Sequence, residues 1–182
     1  MRWKPIAQFV YQLELETHYR IEANLYYTPM NATAFPPHYD LHDVFVVQLF
    51  GEKQWQFFNS RIKLPERRFD RHNPELIKDT NSPIRSELLK TGDILFMPRG
   101  LVHGAATNTA ESLHLSIGFY PVLWKDLVFN AVQLESETSI QFRSSVHPEY
   151  LKKPETLMVP KEVKEALNNL PNLFKKVIMT KN

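Results

Sequence analysis

The chain of 182 residues is long enough for one well-filled hydrophobic core and too short for two, so one domain with an appendage is expected. Its net charge of +2, from 22 basic and 20 acidic side chains, gives no strong signal for a nucleic-acid partner. The absence of cysteine excludes disulfides, thiolate metal sites and a cysteine nucleophile, so any metal must be bound through nitrogen and oxygen. The sequence contains neither an apolar run of about 18 residues nor a signal-peptide pattern, which excludes a membrane span and makes the cytoplasm the expected compartment.

The first half of the chain is predicted to form strands. Residues 6–28 are expected to be extended, with a strand over about residues 20–28, because β-branched and aromatic residues recur throughout. Residues 44–50 form a nearly continuous apolar run, which resumes over residues 54–58 after a break at Gly51. This pattern predicts a hairpin of two buried strands.

The second half changes from strands to helices. Residues 59–91 are polar and aperiodic and are expected to form a long excursion with room for one more strand, followed by short strands over residues 94–97 and 113–119. Beyond Pro121 apolar residues recur every three or four positions, which predicts a helix over about residues 122–136. A second helical pattern occupies the tail from Pro154 onwards.

Three residues form a candidate metal site. His38 and Asp40 lie two apart in an extended stretch, so both side chains leave the same face. His103 follows a turn at Gly92, a short apolar strand and Pro98, which can bring it back to the first two. Two histidines and one carboxylate that leave three coordination positions open are typical of non-haem Fe(II) oxygenases.

The residues around this site resemble a known family. Residues 37–48 (PHYDLHDVFVVQ) and 51–55 (GEKQW) are similar to the JmjC-type cupin oxygenases, and within them to the ribosomal-oxygenase group of protein hydroxylases. The resemblance runs from about Ile21 to Pro148. It implies a mainly β fold, a double-stranded β-helix of the cupin or jelly-roll type over residues 1–121. The helical C-terminal extension over residues 122–182 is a candidate dimerisation region, which makes a homodimer a candidate assembly.

The resemblance also assigns cofactors and ligands. It implies Fe(II), 2-oxoglutarate as cosubstrate and O₂, with the iron held by His38, Asp40 and His103. Lys53 is expected to pair with the distal carboxylate of 2-oxoglutarate, although a lysine after a turn is commonly solvated. Arg61 and Arg99 are the alternative partners for that anion.

Further residues are weighed as pocket residues. The resemblance implies that Asn24 and Tyr26, two apart on one strand, lie near the cosubstrate, and that Ser116 is the hydroxyl residue on the strand after His103. His42 has the same parity as His38 and is expected to support the ligands rather than bind metal. His114 either lines the pocket or meets solvent.

The function implied by the resemblance is hydroxylation of a protein or peptide side chain, with succinate and CO₂ as coproducts. One alternative is a metal-dependent cupin enzyme that does not use 2-oxoglutarate. The other is a catalytically silent cupin that only binds a partner. Lys53 separates the first alternative from the prediction, since only an enzyme that uses 2-oxoglutarate needs its charge.

Overall fold

A computed structural model of the protein describes residues 3–60, 63–66 and 82–179. The chain divides into two compact units, Met1–Pro121 and Val122–Asn182. In the first unit the described elements are the helix α1 (Lys4–Thr17) and the strands β1 (Arg20–Thr28), β2 (Thr33–His38), β3 (Asp43–Phe58), β4 (Arg85–Lys90), β5 (Ile94–Met97), β6 (Val102–Ala106) and β7 (Ser112–Tyr120). In the second unit they are the helices α2 (Trp124–Thr138), α3 (Ile140–Arg143), α4 (Pro148–Lys152), α5 (Lys161–Asn168) and α6 (Leu170–Met179), with a 3₁₀ turn at Pro154–Thr156.

The long strand β3 organises a curled antiparallel sheet with the order β1-β7-β3-β6-β2. Its first half pairs with β5 and β7, and its second half pairs with β4 and β6. Because one strand belongs to both halves of the sheet, the inner faces of β1 and β7 and those of β2 and β6 line one cavity.

Gly51 lies where β3 passes from one half of the sheet to the other. Its φ of +66° is in the left-handed region, and the pairing with β7 shifts register just before it, between Gln48 and Phe50. A Cβ at this position would lie 1.8 Å from the carbonyl oxygen of Glu111. The predicted hairpin of two strands is therefore wrong: the glycine bends one continuous strand instead of ending it.

The expectation that residues 6–28 are extended is wrong for residues 6–17, because Lys4–Thr17 is a helix. Pro5 stands in its first turn, where a proline is tolerated. Ile6, Val10 and Leu13 recur at helical spacing and pack against the cluster that contains Ile21 of β1. Burial of this stripe on the sheet outweighs the β-propensity of the individual residues. The predicted strand over residues 20–28 is confirmed.

Two apolar clusters fix the strands that carry the cavity. The larger contains Val44, Val46, Trp55 and Phe57 of β3, together with Met97 of β5. A second cluster joins Tyr39, which is fully buried, to Phe58 and Val102. This cluster anchors the segment between β2 and β3, so the residues on either side of Tyr39 have fixed directions.

In the second unit α2 and α6 pack through a core of Ala131, Leu173 and Val177. The Leu123 N–H donates to the Asp126 carboxylate over 3.0 Å and so caps the start of α2. The helix predicted over residues 122–136 corresponds to α2, and the helical pattern of the tail corresponds to α5 and α6. Among the helices of the described residues, none is both long and apolar enough to cross a membrane.

Candidate metal centre and cosubstrate pocket

The first unit contains a cavity of about 280 Å³ between the two halves of the curled sheet. Side chains from β1, β2, β3, β6 and β7 line it. The lining also includes the seven residues that the sequence analysis assigns to the metal or to the cosubstrate: Asn24, Tyr26, His38, Asp40, Lys53, His103 and Ser116. Strands distant in sequence therefore bring these residues to one place.

The three candidate metal ligands lie side by side. His38 ends β2 and is the register partner of His103 on β6, and the two rings are 4.6 Å apart between centroids. The His103 Nε2 atom lies 3.8 Å from an Asp40 carboxylate oxygen. One donor atom from each residue lies within 4.8 Å of the others.

Backbone carbonyls orient both imidazoles. The Nδ1 atom of His38 lies 2.9 Å from the Pro36 carbonyl oxygen, and that of His103 lies 3.0 Å from the Leu101 carbonyl oxygen. Since a carbonyl oxygen only accepts hydrogen bonds, each Nδ1 must carry the proton and donate it. The Nε2 atoms are then the lone-pair donors, an arrangement that second-shell hydrogen bonds commonly impose on metal-binding histidines.

The donor set fits a divalent transition metal. Bonds of about 2.0 to 2.2 Å place three ligand atoms on one face of an octahedron about 3 Å apart, so the donors, which lie within 4.8 Å of one another, must move closer by side-chain rotation to share one ion. Two imidazoles and one carboxylate suit Fe(II), and the three donors leave half of an octahedron open. His103 is 4% exposed and its ring lies 5.9 Å from the Trp55 ring, so one side of the site is apolar and dry.

Lys53 is buried at one end of the cavity. Its side chain is 2% exposed, and its Nζ atom donates to the Thr28 hydroxyl over 2.8 Å and lies 5.9 Å from the Trp55 ring. Burial lowers the pKa of Lys53 to about 8. Lys53 is therefore not a solvated turn residue. Of the two alternative anion partners, Arg99 does not line the cavity, and Arg61 lies outside the described residues.

The surroundings of Lys53 suit a carboxylate. His114 is 3% exposed, stacks on Tyr26 at 5.2 Å and meets Trp55 edge to face at 5.6 Å. Burial, followed by the nearby charge of Lys53, lowers the pKa of His114 to about 4, so the imidazole is neutral. Among the described protein atoms, the buried Nε1 of Trp55 and Nδ1 of His114 have no hydrogen-bond partner. The buried Lys53 ammonium therefore lies next to polar groups that have no partner in the described part of the chain. Such surroundings suit the carboxylate end of an anionic cosubstrate.

Asn24 and Ser116 are register partners on β1 and β7, and Tyr26 pairs with His114 in the same ladder. The side chains of Asn24, Tyr26 and Ser116 all face the cavity. His42 lines the cavity as well, with its ring stacked on Tyr120 at 4.3 Å.

Sequence reasoning missed at least three polar residues of this site. Glu22 and Tyr120 line the cavity, and Thr28 holds the Lys53 ammonium. Glu22 and Thr28 have the same parity on β1 as Asn24 and Tyr26, so the period of two along a strand was the available signal. Tyr120 is paired with the first residue of β1, a register that the sequence does not reveal.

The sequence matches known proteins over most of its length. The JmjC domain model matches residues 2–127. The "Bifunctional lysine-specific demethylase and histidyl-hydroxylase NO66" of Dictyostelium discoideum is 33% identical over 147 residues, 75% of this chain and 28% of that protein. "Ribosomal oxygenase 1" of Homo sapiens is 31% identical over 152 residues, 80% of this chain and 24% of that protein. The chain thus spans about a quarter of the length of these relatives.

A solved structure shares the fold. The Escherichia coli ribosomal oxygenase YcfD in complex with cobalt and 2-oxoglutarate has a TM-score of 0.61 and 20% identity, and the match covers 96% of this chain and 46% of that one. The predicted cupin-type β fold with C-terminal helices is confirmed by this likeness and by the curled antiparallel sheet. With the domain model matching residues 2–127, the chain belongs to the JmjC domain family.

Proposed function

We propose that this chain is an Fe(II)- and 2-oxoglutarate-dependent oxygenase that hydroxylates a side chain of a protein or peptide. The observation that carries the proposal is the presence, in one cavity, of a His–Asp–His donor set and a buried lysine. A metal-dependent cupin without 2-oxoglutarate has no use for a buried ammonium that lowers the stability of the fold. A module that only binds a partner needs neither feature.

In this proposal His38, Asp40 and His103 hold the iron through two Nε2 atoms and one carboxylate. The protonated Nδ1 atoms of both histidines keep these rings in place. When bound, iron and 2-oxoglutarate supply the oxidising power: O₂ and 2-oxoglutarate are consumed, succinate and CO₂ are released, and one oxygen atom enters a substrate C–H bond.

Lys53 would bind the distal carboxylate of 2-oxoglutarate at the closed end of the cavity. The Thr28 hydroxyl holds the ammonium in place before the anion arrives. The stacked rings of Tyr26 and His114, with Trp55 across them, exclude water from this end. In such a dry site an ammonium and a carboxylate attract each other far more strongly than they do in water. We propose Asn24 and Ser116 as further polar contacts to the cosubstrate.

The relatives support a protein or peptide as the substrate, since their names describe a histidyl-hydroxylase, a lysine demethylase and a ribosomal oxygenase. The test is anaerobic loading with Fe(II) and 2-oxoglutarate, followed by air and a peptide library. Mass spectrometry should then detect a gain of about 16 Da in one peptide, together with succinate. The Asp40→Ala variant should give neither product. Metal-dependent turnover of a substrate without any succinate would favour the alternative cupin enzyme, whereas succinate release that is unaffected by Lys53→Met would refute the role proposed for Lys53.

We further propose that the helical unit mediates a homodimer. Large apolar side chains on its surface support this, since Trp124 is 75% exposed and Phe129 66% exposed. Light scattering of the wild-type chain should give a dimer mass, and the Phe129→Ser variant should give a monomer mass.

The cytoplasm is the proposed compartment, because ferrous iron requires reducing surroundings. Microscopy of a fluorescent fusion protein tests this proposal.

A further inference from the structure

A second polar group lies in the same cavity, away from Lys53. We call it the Glu22 site; it consists of Glu22, His42, Gly118 and Tyr120. The Tyr120 hydroxyl donates to one carboxylate oxygen of Glu22 over 2.9 Å. His42 covers one face of the Tyr120 ring, stacked at 4.3 Å between the ring centroids with an angle of 19° between the planes.

Gly118 makes room for this arrangement. A Cβ at Gly118 would lie 2.5 and 2.7 Å from two ring atoms of His42 and 3.5 Å from the Tyr120 ring. The missing side chain therefore lets the imidazole lie flat against the tyrosine. The stack fixes the direction of the Tyr120 hydroxyl, and the hydroxyl fixes the Glu22 carboxylate.

The Glu22 carboxylate is ionised at neutral pH. The hydrogen bond from Tyr120 lowers the pKa of Glu22 further than burial raises it. Burial and the same hydrogen bond raise the pKa of Tyr120 to about 12. Glu22 is therefore an ionised acceptor, and Tyr120 is a neutral donor held to it.

The cavity thus has two ends of opposite charge. Lys53 is 2% exposed and marks a closed, cationic end, whereas the Glu22 side chain is 41% exposed and marks an open, anionic end. The metal ligands have a neighbour in each group: the His103 ring lies 5.9 Å from the Trp55 ring, which is 5.9 Å from the Lys53 Nζ atom, and the charge of Asp40 contributes to the raised pKa of Tyr120. An anionic cosubstrate matches the closed end, and the open end is left for the substrate.

We propose that Glu22 is a specificity-determining residue whose carboxylate accepts hydrogen bonds from a positively charged substrate side chain, an arginine or a lysine, entering the open end. The proposal rests on the proposed function for its reaction, but the charge selection itself is a property of the Glu22 site. A carboxylate that is already oriented binds a guanidinium or an ammonium without first losing side-chain entropy.

Arg20 offers a simpler explanation, in which Glu22 is only half of a surface ion pair. Arg20 does pair with Glu22, and its guanidinium carbon lies 5.2 Å from the Tyr120 ring centroid. However, the Arg20 side chain is 61% exposed, and exposed pairs of this kind contribute little energy. An ionised carboxylate has about four acceptor positions, so Arg20 and Tyr120 leave room for a further donor. Arg20 also demonstrates that a guanidinium fits over this tyrosine.

The test measures peptide binding to the full chain loaded with Mn(II) and 2-oxoglutarate, which does not turn over. The probes are acetyl-Gly-Gly-X-Gly-Gly-amide peptides in which X is arginine, lysine or norleucine, titrated by calorimetry. The wild-type chain should bind the two cationic peptides at least about tenfold more tightly than the norleucine peptide. Glu22→Gln should abolish that preference and leave 2-oxoglutarate affinity unchanged.

Glu111→Gln is the matched control, since Glu111 also accepts from a tyrosine hydroxyl, that of Tyr27, but does not line the cavity. This variant should retain the wild-type preference. Tyr120→Phe releases the Glu22 carboxylate without removing its charge, so it should reduce the preference for cationic peptides only in part. This variant provides a second test if Glu22→Gln folds poorly.

Equal binding of the three peptides by the wild-type chain, or an undiminished preference in Glu22→Gln, would overturn the proposal. So would a loss of 2-oxoglutarate binding in Glu22→Gln that matches its loss of arginine binding, since the residue would then act on the fold. Failure of the wild-type chain to bind Mn(II) and 2-oxoglutarate would instead refute the proposed function. In that case the charge preference is measured on the metal-free chain, where dependence on Glu22 is still expected.

Discussion

Replacing Lys53 by methionine should stabilise the fold while it removes cosubstrate binding. Methionine keeps the length of the hydrocarbon chain and removes a buried ammonium whose partner is the Thr28 hydroxyl. The pKa of Lys53 falls from 10.5 to about 8 on burial, which corresponds to a cost of about 3 kcal/mol when the amine is charged. Loss of the hydrogen bond to Thr28 offsets about 1 kcal/mol of the gain. The expected net stabilisation is about 2 kcal/mol at pH 7, or about 4 to 8 °C in Tm for a chain of this size.

The stability difference between Lys53→Met and the wild type should depend on pH. Between about pH 8 and 10.5 the unfolded chain keeps the Lys53 proton that the native chain has lost, so the free energy of unfolding of the wild type rises with pH. The advantage of Lys53→Met should therefore be full at pH 7 and shrink towards pH 10. Chemical denaturation at several pH values measures it, with Lys90→Met, an exposed lysine at the end of β4, as the control that should change little.

The same variant should bind 2-oxoglutarate at least about 30-fold more weakly in the presence of Mn(II), because one partner of a desolvated charge pair is removed. A variant that is less stable than the wild type at pH 7, or whose advantage does not vary with pH, would refute the reasoning about the buried ammonium. Unchanged cosubstrate affinity would refute the role proposed for Lys53.

Three further results are expected. The apparent Kd of the wild type for 2-oxoglutarate, measured by calorimetry, should rise about tenfold from pH 7 to pH 9, because the anion binds the charged form of Lys53 and its pKa is about 8; a flat profile would contradict this. Gly51→Ala should lower the free energy of unfolding by more than about 2 kcal/mol, because the new Cβ would combine a left-handed φ with a contact on the Glu111 carbonyl. Gly92→Ala is the control and should cost only the backbone strain, since nothing lies within 4 Å of its Cβ. Equal losses of stability in chemical denaturation would exclude the contact. Thr28→Val should weaken 2-oxoglutarate binding about two- to tenfold without affecting Mn(II) stoichiometry, and unchanged affinity would show that the hydroxyl does not position Lys53.

The proximity of the three candidate metal ligands can be predicted in part from the sequence, because part of the signal is local. His38 and Asp40 belong to one extended stretch, and a period of two places them on one face. His103 is a distant residue, and its place beside His38 follows from the register between β2 and β6. The turns before His103 predict only that the chain can bring this residue back towards His38. The pairing of β2 with β6 depends on contacts between strands that are far apart in sequence.

The two structural errors have one physical cause, which is that tertiary packing overrides local preference. Residues 4–17 contain many β-formers, yet the stripe of Ile6, Val10 and Leu13 is buried on the sheet as a helix. Gly51 looks like the end of a strand, yet its left-handed φ bends one strand through both halves of the sheet. In both cases the deciding partner lies elsewhere in the chain: Ile21 is on β1, and Glu111 is just before β7.

Glu22 and Tyr120 could not be predicted as site residues for the same reason. Their hydrogen bond joins residues that are 98 positions apart, and it depends on the full register of β1 against β7. Lys53 could be predicted in part. The resemblance implies its role, but only the packing of Trp55 and His114 around it reveals that its ammonium is buried.

The most direct test of the account is an anaerobic titration of the chain with Fe(II), with and without 2-oxoglutarate. One iron per chain is expected, together with a visible metal-to-ligand charge-transfer band that appears only when both Fe(II) and 2-oxoglutarate are present. His38→Ala and Asp40→Ala should lose the iron and the band, while His42→Ala, a nearby histidine outside the donor set, should retain the iron. Full iron stoichiometry in the first two variants, or no iron in the wild type, would contradict the central claim that these side chains form one metal site.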